Sequence, residues 1–161
     1  MTDAVVLPPE QTAEEDAHVP TRRLLVFEVA RTHIACEMEA FREIVPARRF
    51  TRLPGAPETV CGLINLRGTI VTVLDGGVVL GKAACSRTGL ILLIGDAEKL
   101  IGLGVDDVRD VHDVPMDQFF AASAGEVSAM QFVTGIVEID EQRVLVVDIK
   151  SAARQVIGHG R

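Results

Sequence analysis

Six polar residues within a short stretch, Asp106, Asp107, Asp110, His112, Asp113 and Asp117, form the densest group of potential ligands in the chain. Carboxylates at that density suit a hard divalent cation, but an EF-hand loop needs them at alternating positions, with Gly at the sixth and Glu at the twelfth. The spacing here departs from that pattern. On a strand, Val105, Val108 and Val111 become inward candidates and most of the acids are left to solvent. The histidines, His18, His33, His112 and His159, are scattered, and none has a partner at the spacing of a ligand pair. Cys36, Cys61 and Cys85 are too evenly spread for a zinc knuckle or a disulfide framework, and read as buried, reduced thiols. A small thiol hydrolase joining one of them to His33 or His112 is the one enzymatic alternative. Neither a nucleophile elbow nor a phosphate-binding glycine loop accompanies these residues. The expectation is no catalytic centre, no metal and no cofactor.

Arg67 invites a different chemistry. It stands between two strand-like apolar runs, Val60 to Asn65 and Thr69 to Leu74, and Gly68 beside it can take the positive φ of a tight turn. The preceding loop is shaped by Pro54, Gly55 and Pro57. A guanidinium presented from so constrained a setting suits bidentate recognition of a partner carboxylate. The chemistry expected of this chain is therefore binding.

The elements that must hold Arg67 follow from composition. Hydrophobic residues make up 48% of the chain, with no Trp, no Tyr and six Phe, so the core is built from Val, Ile and Leu, which favours strands. The scarcity of aromatics removes the stacking platforms that single-stranded nucleic acid requires. The formal charge is −7, and five of the 23 acids fall in the first twenty residues, which contain no Lys or Arg. The sum offers no basic face for a phosphate backbone or an anionic membrane, leaving proteins as partners. Residues 1–20 read as a flexible acidic tail. With no signal peptide and no apolar run near the ~20 residues of a membrane span, a cytoplasmic protein is expected.

Leu24 to Val29 and His33 to Cys36 read as a hairpin, followed by a helical turn between Met38 and Glu43. Gly76, Gly77 and Gly81 are expected to loosen the chain. Further strands are expected at 88–94, 100–105, 108–114, 132–139 and 143–147, with a long mobile connection over 115–130. From 148 to 157, apolar residues recur at helical spacing behind Asp148, a candidate N-cap. Short strands at regular intervals indicate an all-β fold of paired barrels.

The stretch from Gly62 to Val71, with Asn65-Leu66-Arg67-Gly68 at its centre, resembles the Gly-x-x-Asn-Leu-Arg-Gly signature of CheW-like coupling proteins of bacterial chemotaxis. Phe41 to Ile44, Leu53 to Pro57, Gly102 to Val111 and Phe132 to Gly135 are similar to further family segments in the same order, over about residues 22–157. The resemblance implies two SH3-like five-stranded barrels over 21–158, approximately 21–85 and 86–150, with a C-terminal helix at 148–157. It also implies a non-enzymatic adaptor between the cytoplasmic tips of chemoreceptors and the regulatory domain of a CheA-type histidine kinase, located at membrane-associated receptor arrays through those partners. A pilus-based or other non-flagellar pathway is the alternative within the same family. By position, Glu43, Gly62 and Arg67 correspond to places associated with receptor coupling, and Asn65 belongs to the signature. Phe41, Val105 and Val108 are apolar candidates for the receptor-facing groove. Gly76-Gly77 depart from the basic residue that usually follows the signature strand, which makes a more pliant segment the expectation there.

Overall fold

The structure, a computed structural model, describes residues 19–85, 88–95 and 99–158. The expected acidic tail, apart from Val19 and Pro20, lies outside these residues, as does most of the turn expected at 95–99. Eleven strands are arranged in two sheets among the described residues. In chain order they are β1 (Thr21–Val29), β2 (Thr32–Glu37), β3 (Glu43–Pro46), β4 (Val60–Leu66), β5 (Thr69–Asp75), β6 (Leu90–Gly95), β7 (Leu100–Val105), β8 (Asp107–Pro115), β9 (Phe119–Phe120), β10 (Val133–Ile139) and β11 (Gln142–Val147). Three short helices punctuate them: α1 (Gly76–Val79), α2 (Ala124–Ala129) and α3 (Ile149–Gly158).

One sheet runs β8-β1-β2-β11-β10-β9 and the other β3-β6-β7-β5-β4. The all-β, SH3-like description holds, with five strands in one sheet and six in the other, the sixth being the two-residue β9. The expected division into halves near residue 85 does not hold. Residues 43–105 make up the five-stranded sheet, while β1 and β2 reach across that insertion to pair with β8 and β11. Local strand signals carry no record of such long-range partners. The pairings of β2 with β11 and of β5 with β7 are parallel, so both sheets are mixed.

The core explains why several strands are apolar without alternation. Leu25 and Phe27 face a cluster shared with Leu74, Leu92, Leu103 and Ile149, so this layer joins the two sheets and α3. The intervening Leu24 and Val26 face a second cluster, inside the six-stranded sheet. In the same way Leu92 and Ile94 point into the shared layer, while Ile91 and Leu93 fill the interior of the five-stranded sheet. A strand buried on both faces reads as a continuous hydrophobic run.

Two expectations about loops are corrected. The segment 115–130 is structured: it contains a 3-10 turn at Met116–Gln118, β9 and α2. The last is fixed by a capping box in which Ser123 Oγ accepts from the Glu126 amide and Glu126 accepts from the Ser123 amide. The Gly76-Gly77 pair is also not pliant. Both residues are buried in α1, where an added Cβ would meet the Gly104 carbonyl oxygen at 2.5 Å and the Ala83 carbonyl oxygen at 2.1 Å. The glycines are there because other backbone lies against them. Asp148 caps α3 as expected, its carboxylate accepting from the Ser151 amide at 3.0 Å and the Ser151 hydroxyl at 2.8 Å.

Candidate functional site: a paired arginine on a seated hairpin

The β4–β5 connection is a two-residue turn in which Arg67 and Gly68 both have positive φ, 50° and 85°. That is the twist-compatible geometry of a tight hairpin, natural for Gly68 and unfavourable for an arginine. Asn65 helps to hold it, its Oδ1 accepting from the Gly68 amide at 2.9 Å. The Arg67 guanidinium then turns back to its own chain. It donates to both carboxylate oxygens of Glu43, that to Oε2 at 2.7 Å.

Glu43 opens β3 and Arg67 follows β4, the two edge strands of the five-stranded sheet, so the ion pair ties edge to edge as the sheet curls. Val45 of β3 shares an interior cluster with Ile64 and Leu66 of β4, which closes the barrel beneath the pair. The guanidinium hydrogen bond holds the Glu43 carboxyl below the usual carboxylate range. Sequence reasoning placed Arg67 at a turn tip but assigned its carboxylate to a partner; the pairing across 24 residues was invisible without the fold.

Gly62 has a steric role. Its φ is 151°, and a Cβ there would stand 2.7 Å from the Thr51 carbonyl oxygen and 2.9 Å from Phe50 Cβ. The loop before β4 is thus pressed onto Gly62. Reciprocal 2.8 Å hydrogen bonds between Thr51 and Leu63 keep it there.

The apolar candidates separate. Phe41 and Val108 are half-buried, and each packs against the shared core. Val105 is fully buried in that core and has no side-chain surface to offer a partner. Val111, read as inward, is 49% exposed on β8. The strand pairs only with β1 and lies at a sheet edge, so its alternation has little interior to fill. Two exposed side chains were missed by the sequence reading: Ile70, 61% exposed, and Leu53, 43% exposed. Register puts Ile70 opposite Asn65 and Thr51 opposite Leu63, two residues apart on β4. Both therefore flank the same strand, within about 7 Å along it.

Three of the five acids that suggested a cation are engaged locally. Asp106 accepts from the Ala30 amide at 2.7 Å, Asp107 from the Val108 amide at 2.9 Å, and Asp113 pairs with Arg23 at 2.9 Å. The thiols are poor nucleophiles. Burial pushes Cys36 up to about 12, burial with Asp75 nearby does the same for Cys85, and Cys61 is raised for the same reasons. No helix among the described residues is long and apolar enough to cross a membrane.

Comparison with known proteins agrees with this architecture. The family model described as the CheW-like domain matches residues 23–156. The chain is 25% identical over 132 residues to the chemotaxis protein CheW of Klebsiella aerogenes, covering 80% of each chain. To the chemotaxis protein CheW of Rhizobium meliloti it is 29% identical over 134 residues, covering 81% of this chain and 86% of the other. Its fold is that of the crystal structure of the scaffolding protein TtCheW from Thermoanaerobacter tengcongensis, with a TM-score of 0.70, 24% identity, and coverage of 84% and 89% of the two chains. With the signature hairpin, the two sheets and a match over nearly all of the described residues, this chain belongs to the CheW-like domain family and is a chemotaxis adaptor.

Proposed function

We propose that this adaptor joins the cytoplasmic tip of a chemoreceptor to the regulatory domain of a CheA-type histidine kinase, in the cytoplasm and at receptor arrays, without catalysis of its own. The observation that carries the reading is the β4–β5 hairpin. It sets a paired guanidinium beside Ile70, the most exposed large apolar side chain among the described residues. Binding energy at interfaces concentrates in a few apolar or arginine anchors with a charged rim, which matches this arrangement. The receptor helices would contact the half-buried Phe41 and Val108 together with Glu43 and Arg67, and the kinase would cover the β4–β5 face carrying Leu53 and Ile70.

A pull-down with a receptor tip and a kinase regulatory domain tests this. Arg67→Glu, which sets two carboxylates against each other at an exposed position, is expected to abolish ternary assembly with the circular dichroism spectrum unchanged. Ile70→Asp is expected to weaken kinase capture and leave receptor capture intact. Wild-type protein that captures neither component refutes the adaptor reading, and undiminished assembly by Arg67→Glu removes Arg67 from the site.

A further inference from the structure

Three arginines near the hairpin are left unused by this reading. Arg48, Arg49 and Arg52 are exposed, and among the described residues no carboxylate is ion-paired with any of them. The connection that bears them, 47–59, holds a single acid, Glu58, in a chain whose formal charge is −7. Three guanidiniums within five residues repel one another, and among the described residues no ion pair offsets that repulsion.

Their backbone is held at several points. The Ala47 amide donates to the Gly89 carbonyl at 3.0 Å, Phe50 packs against the interior of the five-stranded sheet, and Thr51 exchanges two hydrogen bonds with Leu63. Gly62 supplies the space into which Phe50 and Thr51 settle. The three arginines are therefore displayed from fixed positions, next to exposed Leu53 and across β4 from exposed Ile70.

The chemistry favours a protein over other anions. Arginine without lysine, mixed with exposed aliphatic side chains, is the composition of protein interfaces, and the planar guanidinium matches a carboxylate. A nucleic acid would meet a molecule that is acidic elsewhere, on a loop whose one aromatic, Phe50, is turned inward. A lipid surface calls for a broader basic field.

We infer that loop 47–57 is a docking surface for an acidic protein segment, whose carboxylates meet Arg48, Arg49 and Arg52 beside the β4–β5 hairpin. The inference rests on the adaptor reading in one respect: the segment belongs to the kinase regulatory domain that covers this face. The triple variant Arg48→Ala/Arg49→Ala/Arg52→Ala changes only exposed side chains, and its circular dichroism spectrum serves as the fold control. Calorimetric titration with the kinase regulatory domain at low and high salt should show wild-type affinity falling steeply with salt. The triple variant should bind at least about tenfold more weakly at low salt, with a flattened salt dependence, and the corresponding triple lysine variant should recover most of the loss. Equal affinity and equal salt dependence of wild type and triple alanine variant overturn the inference while the adaptor reading stands. Arginine-dependent capture of duplex DNA or of phosphatidylglycerol vesicles more tightly than the kinase domain overturns the assignment to a protein. A wild-type protein that binds neither kinase domain nor receptor tip removes both readings together.

Discussion

Arg67 occupies a backbone conformation that arginine does not favour, and it remains there because its side chain and its neighbours are engaged: Glu43 by the guanidinium, Asn65 by the next amide. The pair can act in two ways, as a clamp between edge strands or as a charge that a partner reads directly. The double substitution Glu43→Arg/Arg67→Glu separates them. If the clamp is what matters, the swap restores the assembly lost in Arg67→Glu; if a partner reads the guanidinium, assembly stays lost while the fold is normal. Gly62 makes a sharper steric prediction. Gly62→Ala puts a methyl group within 2.7 Å of the Thr51 oxygen, which lies on backbone and cannot swing away. A cost of about 1–3 kcal/mol in urea unfolding is expected from the strained φ and the displaced loop. Partner binding should fall as well, because the same loop presents Arg52 and Leu53.

At the scale of the elements, the decisive residues are those that fasten one piece of backbone to another. Asp75 is the only charged residue among the buried described residues, and it accepts from the Val78 amide at 3.0 Å and the Cys85 amide at 3.2 Å. It thereby starts α1 and anchors the chain that follows. Asp75→Ala leaves two amides without acceptors, at a cost of about 1–3 kcal/mol each at most, read as a lower urea midpoint. Faster hydrogen exchange at Val78 and Cys85 would locate the effect; unchanged exchange there would show that other groups hold this turn. The capping box of α2 does comparable work for a segment whose run of Ala, Ser and Gly looks like a loose linker. Its Glu126 also pairs with Arg143 of β11, so α2 is tied to the last hairpin.

For the whole molecule, two sheets share one core layer, and each contains strands buried on both faces. Because β1 and β2 pair with strands beyond residue 105, dividing the chain near residue 85 should leave neither fragment folded. Heteronuclear NMR spectra of fragments 1–85 and 86–161 are expected to lack dispersion, and a well-dispersed spectrum from either would contradict the shared core. The intact chain should unfold in a single transition. Its pH dependence has two limbs. Hydrogen bonds hold the Glu43, Asp113 and Glu126 carboxyls low, from Arg67, from Arg23, and from Ser123 and Arg143 respectively. Asp148 is also low, since the Ser151 and Lys150 groups outweigh its burial. Depressed carboxyls contribute stability that is complete above their unfolded values and lost as pH falls below about 4. The thiols have the opposite sign. Cys36, raised by burial to about 12, favours the fold fully below the unfolded thiol value and loses that contribution as pH rises above about 8.5. Thermal melts across pH should therefore show a plateau falling at both ends, and Cys36 should react with a thiol reagent at pH 8 only after unfolding.

How much of this was legible in the residues depends on how far apart the interacting groups lie. Strand runs, the tight turn at Arg67-Gly68, the cap at Asp148 and the signature around Asn65 are local patterns, set within a few residues by backbone sterics and side-chain periodicity. They were sufficient for the fold class and for placing Arg67 at the tip of a tight turn. Which strands pair across the 43–105 insertion, that Glu43 is the carboxylate for Arg67, that Gly62 receives Phe50 and Thr51, and that Val105 is closed off while Ile70 is open were decided only by the packed structure. Each is a contact between segments that become neighbours when two curled sheets bury a common layer, and no local propensity encodes that meeting.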